Sequence, residues 1–111
     1  MSSSLFEDVC QSIIDLDKTI RFAGITNMRR TIVSAKYRAR LFPLLTQEET
    51  IESVEHSVSR MSTRRLMEAK LGKTIYSITF YEKVKRAVIP IGENSDFILM
   101  VSFDNEANHD S

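Results

Sequence analysis

The sequence predicts an α+β domain, a five-stranded antiparallel sheet with helices packed against it in the order α-β-β-α-β-β-β. Apolar residues recur at helical spacing in two segments, each opened by a capping pair. Five other segments have strand length and are rich in β-branched and aromatic residues. The last three are separated by turns short enough for an antiparallel meander. At 111 residues the chain is read as a single domain over residues 1–103, followed by an acidic, flexible tail over 104–111.

The first helix is expected over residues 4–17. Ser4 and Glu7 fit a capping box, and Leu5, Val9, Ile13 and Leu16 recur on one face. Residues 18–26 (KTIRFAGIT) read as a strand in which Gly24 signals a bulge or a close backbone approach. A turn at 27–30 leads to a second strand over 31–37, then a loop over 38–45 containing Pro43. Thr46 and Glu49 form the second capping box, opening a helix expected to reach Leu71 with Ile51, Val54, Val58, Met61 and Leu66 on one side. Its acidic first turns and basic last turns match the helix dipole, and Gly72 stops it. Strands follow over 73–81, 84–91 and 96–103, with Tyr76, Ile78 and Phe80 alternating against Ser77 and Thr79. The continuous apolar run from Phe97 suits a central strand covered on both faces.

Fifteen basic residues balance fifteen acidic ones, so whole-molecule attraction to a polyanion is not indicated. The distribution is uneven, with five basic and no acidic residues over 28–47 and eight against two over 59–86. No apolar run is long enough to span a bilayer, and the N-terminus lacks the pattern of a signal peptide. A lone cysteine cannot form an internal disulfide, so the expected compartment is the cytosol.

No catalytic or metal-binding set is expected, and no cofactor. Cys10 lies among Val9, Ile13 and Ile14, where its thiol would be core and poorly activated. His56 and His109 have no Cys or His at ligand spacing, and His56 has Glu52 and Arg60 one turn away, as on an ordinary solvated helix face. There is no GxSxG, Walker A or GxGxxG segment.

The element order, with IRFAGI (20–25) as a first strand after a short helix, a long central helix and the closing ILMVSFD (98–104), resembles the roadblock light-chain family and its profilin-like relatives. The overall look is also similar to small archaeal proteins. The resemblance implies a non-enzymatic scaffold that pairs by joining the sheet edge and the long helix of two copies, forming a platform for small GTPases or motor subunits. It places the edge strand at 73–81 and the paired helix at 46–71. With the exposed edge as a pairing template, the expected homodimer interface includes Val58, Met61, Tyr76 and Ile78. Arg29 and Arg30 depart from the family pattern, occupying a turn that many relatives build around glycine.

Two other functions stay open at this stage. Arg29, Arg30, Lys36, Arg38 and Arg40 could meet Lys83, Lys85 and Arg86 across hairpin ends and, with Tyr37 and Phe42, bind phosphates and stacked bases of nucleic acid. The opposing reading makes them scattered surface charges that answer the acidic residues. A small-molecule sensor would line a pocket with Phe22, Tyr37, Phe80 and Phe97, residues that otherwise belong to the core.

Overall fold

In the computed structural model, which describes residues 3–105, the elements are α1 (Ser3–Ile14), β1 (Ile20–Asn27), β2 (Ile32–Tyr37), α2 (Gln47–Arg65), α3 (Glu68–Leu71), β3 (Ser77–Phe80), β4 (Val84–Ile91) and β5 (Phe97–Asp104). The strands form one antiparallel sheet in the order β2-β1-β5-β4-β3. The α+β architecture and its element order follow the expectation, with α3 a single short turn added after the long helix.

Alternation along the two central strands divides the core into two layers. Ile20, Ala23 and Ile25 of β1 and Leu99 and Val101 of β5 pack with Phe6 and Cys10 of α1. Phe22 of β1 and Ile98 and Met100 of β5 face the other way, against Val54, Val58 and Met61 of α2. Helices therefore cover both faces, and β5 is buried on both, as its continuous apolar run predicts. A register irregularity between Ile20 and Phe22 puts Ile20 and Ala23, three apart, on the same side. Gly24 marks a close approach. A Cβ there would stand 2.6 Å from the Phe22 ring, which folds back over the glycine.

The capping box at Thr46 forms as predicted. Thr46 Oγ1 accepts from the Glu49 N–H at 3.1 Å and the Glu49 carboxylate accepts from the Thr46 N–H at 2.9 Å. The helix ends earlier than expected, at Arg65, and a separate turn, α3, runs to Gly72, whose φ of 84° only glycine adopts without cost. Arg65 reaches the β4–β5 turn and donates to the carbonyl of Ser95, so its side chain leaves the helix axis where the helix stops. Leu66 and Ile51, expected on the buried face, are exposed.

Other expectations are corrected by packing. Of the α1 stripe Leu5, Val9, Ile13 and Leu16, only Val9 and Ile13 pack against the core, at the border of the side that seats the helix. Phe6 and Cys10 are buried, while Leu5 and Leu16 are exposed. Ser4 lies inside the helix, so the Ser4 and Glu7 box does not start it. The expected strand over 73–81 shrinks to Ser77–Phe80, since only those residues pair with β4. The boundary expected between residues 103 and 104 falls inside β5. Asp104 accepts from Arg21 at 2.8 Å and Arg38 at 2.7 Å, and the Asn105 side chain donates to the carbonyls of Tyr81 and Glu82. The remainder of the expected tail, from residue 106, and His109 with it, lie outside the described residues.

Candidate protein-interaction surface

Residues 66–81 combine large apolar side chains with little cover. After α2 ends, Leu71 is 80% exposed, Ile75 74% and Phe80 69%, and Leu66, Met67, Tyr76, Ile78 and Tyr81 are also exposed. Single exposed apolar residues are ordinary on a protein surface, whereas a run of them makes this stretch the candidate interaction surface. The stretch ends in β3, which pairs only with β4 and so presents one side of its backbone unpaired within the sheet. β3 stands at the outer edge of the sheet beside β4. The turn at residues 82–83 returns the chain into β4, which lies between β3 and the central β5.

Beside this edge, on the α2 side of the sheet, runs a groove between α2 and the β3–β4 hairpin. Ser53, His56 and Arg60 line its helix wall and Tyr81, Lys83 and Arg86 its sheet wall. The exposed flank of α2 has Glu49 and Glu52 at one end and Arg60 and Arg64 toward the other. His56 lies midway between Glu52 and Arg60, so the charges on this flank are opposite in sign about a central point.

The structure sorts the expected dimer residues into two classes. Tyr76 and Ile78 lie at or beside the open edge and are exposed. Val58 and Met61 are each 1% exposed and packed with Phe22, Ile98 and Met100. They hold α2 on the sheet and have no surface left for a second copy, which corrects that part of the expected interface. The helical stripe named from sequence is real, but a single stripe cannot face the sheet and a partner together.

The eight basic residues do not form one surface. Arg29 and Arg30 sit at the β1–β2 turn, at the sheet end where β5 begins. Arg38, Arg40 and Lys83 lie at the opposite end. Lys36 is on the α1 face, 4.0 Å from Glu7, and Lys85 holds its ammonium 5.5 Å from the centre of the Phe103 ring on that same face. Arg86 points to the α2 side. Arg38 is committed to Asp104 and the Lys18 carbonyl. Burial alone would raise the Asp104 carboxyl, but the bonds from Arg38 and Arg21 outweigh it and hold the group below its ordinary range. Arg30 adopts φ 69°, the left-handed conformation that glycine takes at least cost. The Asn27 side chain holds the turn by accepting from the Arg29 and Thr31 N–H groups, and Arg30 donates to Ser59 at 3.2 Å.

The four aromatics expected to share a pocket are divided by the sheet. Phe22 and Tyr37 meet in a tilted pair with ring centres 4.9 Å apart on the α2 side, Phe97 packs on Phe6 at 4.9 Å on the α1 side, and Phe80 is exposed. Cys10 is buried in the α1 layer, where burial pushes its thiol pKa up against the opposing pull of Ser34 and Lys36. His56 is exposed in the groove. Among the described residues no group of His, Cys, Asp and Glu is arranged to hold a metal ion, and no helix is long and apolar enough to cross a membrane.

No protein-family model matches the chain, and no curated protein matches it in sequence. Solved structures do match in shape. A roadblock/LC7 domain from Streptomyces avermitilis is 11% identical with a TM-score of 0.69, covering 90% of this chain and 78% of that one. The gliding protein MglB from Thermus thermophilus is 14% identical with a TM-score of 0.72, covering 89% and 70%. A structure of MglB in a tetrameric arrangement is 16% identical with a TM-score of 0.72, also covering 89% and 70%. The chain has the roadblock/LC7 fold.

Proposed function

We propose that this chain is a non-enzymatic interaction domain of the cytosol that pairs with a second copy of itself along β3 and α2 and presents the pair as a platform to a regulatory protein such as a small GTPase. The observation that carries the reading is the unpaired β3 edge lying at the end of the exposed apolar stretch over residues 66–81. Pairing two β3 strands about a two-fold axis would satisfy the open backbone groups and extend the sheet across both copies. The same axis would run the two α2 helices antiparallel. Glu52 of one copy would then meet Arg60 of the other about a point near His56, so the charge order on the α2 flank supports an isologous pair. That an MglB has been solved in a tetrameric arrangement is in keeping with self-association on this fold.

Light scattering on the purified chain tests the pairing. The expected mass is twice the 12.7 kDa of one chain. Replacing Ser77 and Thr79 together by Lys should return it to one copy, because like charges would face each other across the new strand pair. A single-copy mass for the unaltered protein at micromolar concentration overturns the pairing. Capture from native lysate, with and without GTP, tests the partner, a stoichiometric small GTPase being the expected result.

A further inference from the structure

A second recess lies on the α2 side of the sheet, beneath the loop over residues 38–45. Its floor is one row of cross-strand neighbours, Tyr37 of β2, Phe22 of β1, Ser102 of β5 and Arg86 of β4. Ser102 is the one small side chain in a row of large ones, so the floor lacks volume between Phe22 and Arg86. Leu41, Pro43 and Leu45 of the loop roof this gap, and the cavity that remains is about 80 Å³. The loop is held over it at both ends, by the Arg38 N–H donating to the Arg21 carbonyl at 2.9 Å and by the Thr46 cap of α2.

None of the residues lining the cavity is acidic, and of its two arginines only one is answered. Arg21 pairs with Asp104 at 2.8 Å and donates to the Phe42 carbonyl. Arg86 is half-buried where the cavity meets the groove beside α2, and it has no ion pair or hydrogen bond among the described residues. Glu49, Glu52 and Glu82 line that groove without pairing with it. A partly desolvated guanidinium with nothing opposite favours an anion, and its planar fork matches a carboxylate.

We propose that this cavity binds a short-chain monocarboxylate, its alkyl chain over Ser102 beneath the loop and its carboxylate on the Arg86 guanidinium. Size and charge both select that class. Liquid water takes about 30 Å³ per molecule and an apolar cavity of about 150 Å³ holds benzene, so this one admits a chain of about three carbons and no ring. One unpaired cation balances one negative charge, and the groove carboxylates would repel a second. The leucines and proline of the roof give no partner to a polar group at the far end of the chain. No residue of β3 lines the cavity, so the site belongs to a single chain and does not depend on pairing.

Titration of the full chain with acetate, propionate, butyrate and octanoate, followed by backbone amide shifts in NMR, tests this. Butyrate should saturate with a Kd of about 1 mM and shift the amides of residues 38–45, Arg86 and Ser102. Affinity should rise about fourfold per methylene from acetate to butyrate as the chain fills the cavity, and octanoate should bind no tighter than butyrate. Butylamine and succinate should each bind at least about tenfold more weakly than butyrate. Ser102→Leu, which fills the gap, and Arg86→Gln, which removes the charge, should each weaken butyrate at least about tenfold with a dispersed amide spectrum retained. Arg86→Gln, at a half-exposed position, carries the test should Ser102→Leu fail to fold. Absence of saturation below about 10 mM, affinity that ignores chain length or keeps rising to octanoate, equal binding of butylamine, or unaltered affinity in the folded variants overturns the proposal. Butyrate bound by a chain that scatters as a single copy would uphold the site and remove the pairing.

Discussion

The centre of the sheet and the stretch over residues 66–81 are both rich in large apolar side chains, and the fold treats them in opposite ways. In β5, Ile98 and Met100 go to one helix layer and Leu99 and Val101 to the other, so each residue of the run finds cover. Between α2 and β3, Leu71 and Ile75 have comparable hydrophobicity and, with Tyr76, stand exposed among the described residues. The difference teaches that burial is a property of position in the strand order. β5 lies third of five and is flanked on both sides, whereas β3 is last. Apolar residues at the centre contribute to folding, and those at the edge are available to association.

The contrast is most easily broken by large-to-small truncations in the two regions. Ile98→Ala, at a fully buried site, should lower unfolding free energy by about 2–5 kcal/mol in urea titration. A loss below about 1 kcal/mol would mean that the centre is not the tightly packed layer described. The next largest effect concerns how the central layer is fastened at its end. Asp104→Asn removes the acceptor charge shared by Arg21 and Arg38 and should cost about 1.5–3 kcal/mol at neutral pH. Because the folded carboxyl sits below its ordinary value, its contribution is fully present above pH 3.8 and is lost as pH falls through the lower folded value. The Asn variant should therefore lack that part of the acid limb in a pH series of melting temperatures. Equal acid sensitivity in both proteins would show that the two arginines do not hold this carboxylate. The smallest expected effect sharpens the comparison. Ile75→Ala, in the exposed stretch, should leave unfolding unchanged within about 0.5 kcal/mol when the protein is dilute.

How much can be read from the sequence depends on the range of the interaction. The Thr46 and Glu49 box is legible because both partners lie within one helical turn, and β4 is legible because turn residues bound it on both sides. The two-sided burial of β5 follows from its unbroken apolar run. The α1 face is misread in part, because the stripe of Val9 and Ile13 adjoins Phe6 and Cys10 on one side and Leu5 and Leu16 on the other, and periodicity alone does not rank them. Val58 and Met61 look available to a partner although the sheet already claims them. Asp104 reads as part of a tail, since nothing near it in sequence announces Arg21 and Arg38.

For the candidate surface the open β3 edge is legible, with Tyr76 and Ile78 at it, but its length is not. The eight basic residues look like a group along the chain, yet Arg29 and Arg30 reach one end of the sheet and Arg38, Arg40 and Lys83 the other. Local chemistry within the sequence decided the helices, the strands and the α+β class, because caps, alternation and turn residues act over a few positions. Only the tertiary structure decided which stripe faces inward, which strand is left at the edge and which charges become neighbours, because these depend on the order β2-β1-β5-β4-β3 and on contacts between residues far apart in the chain.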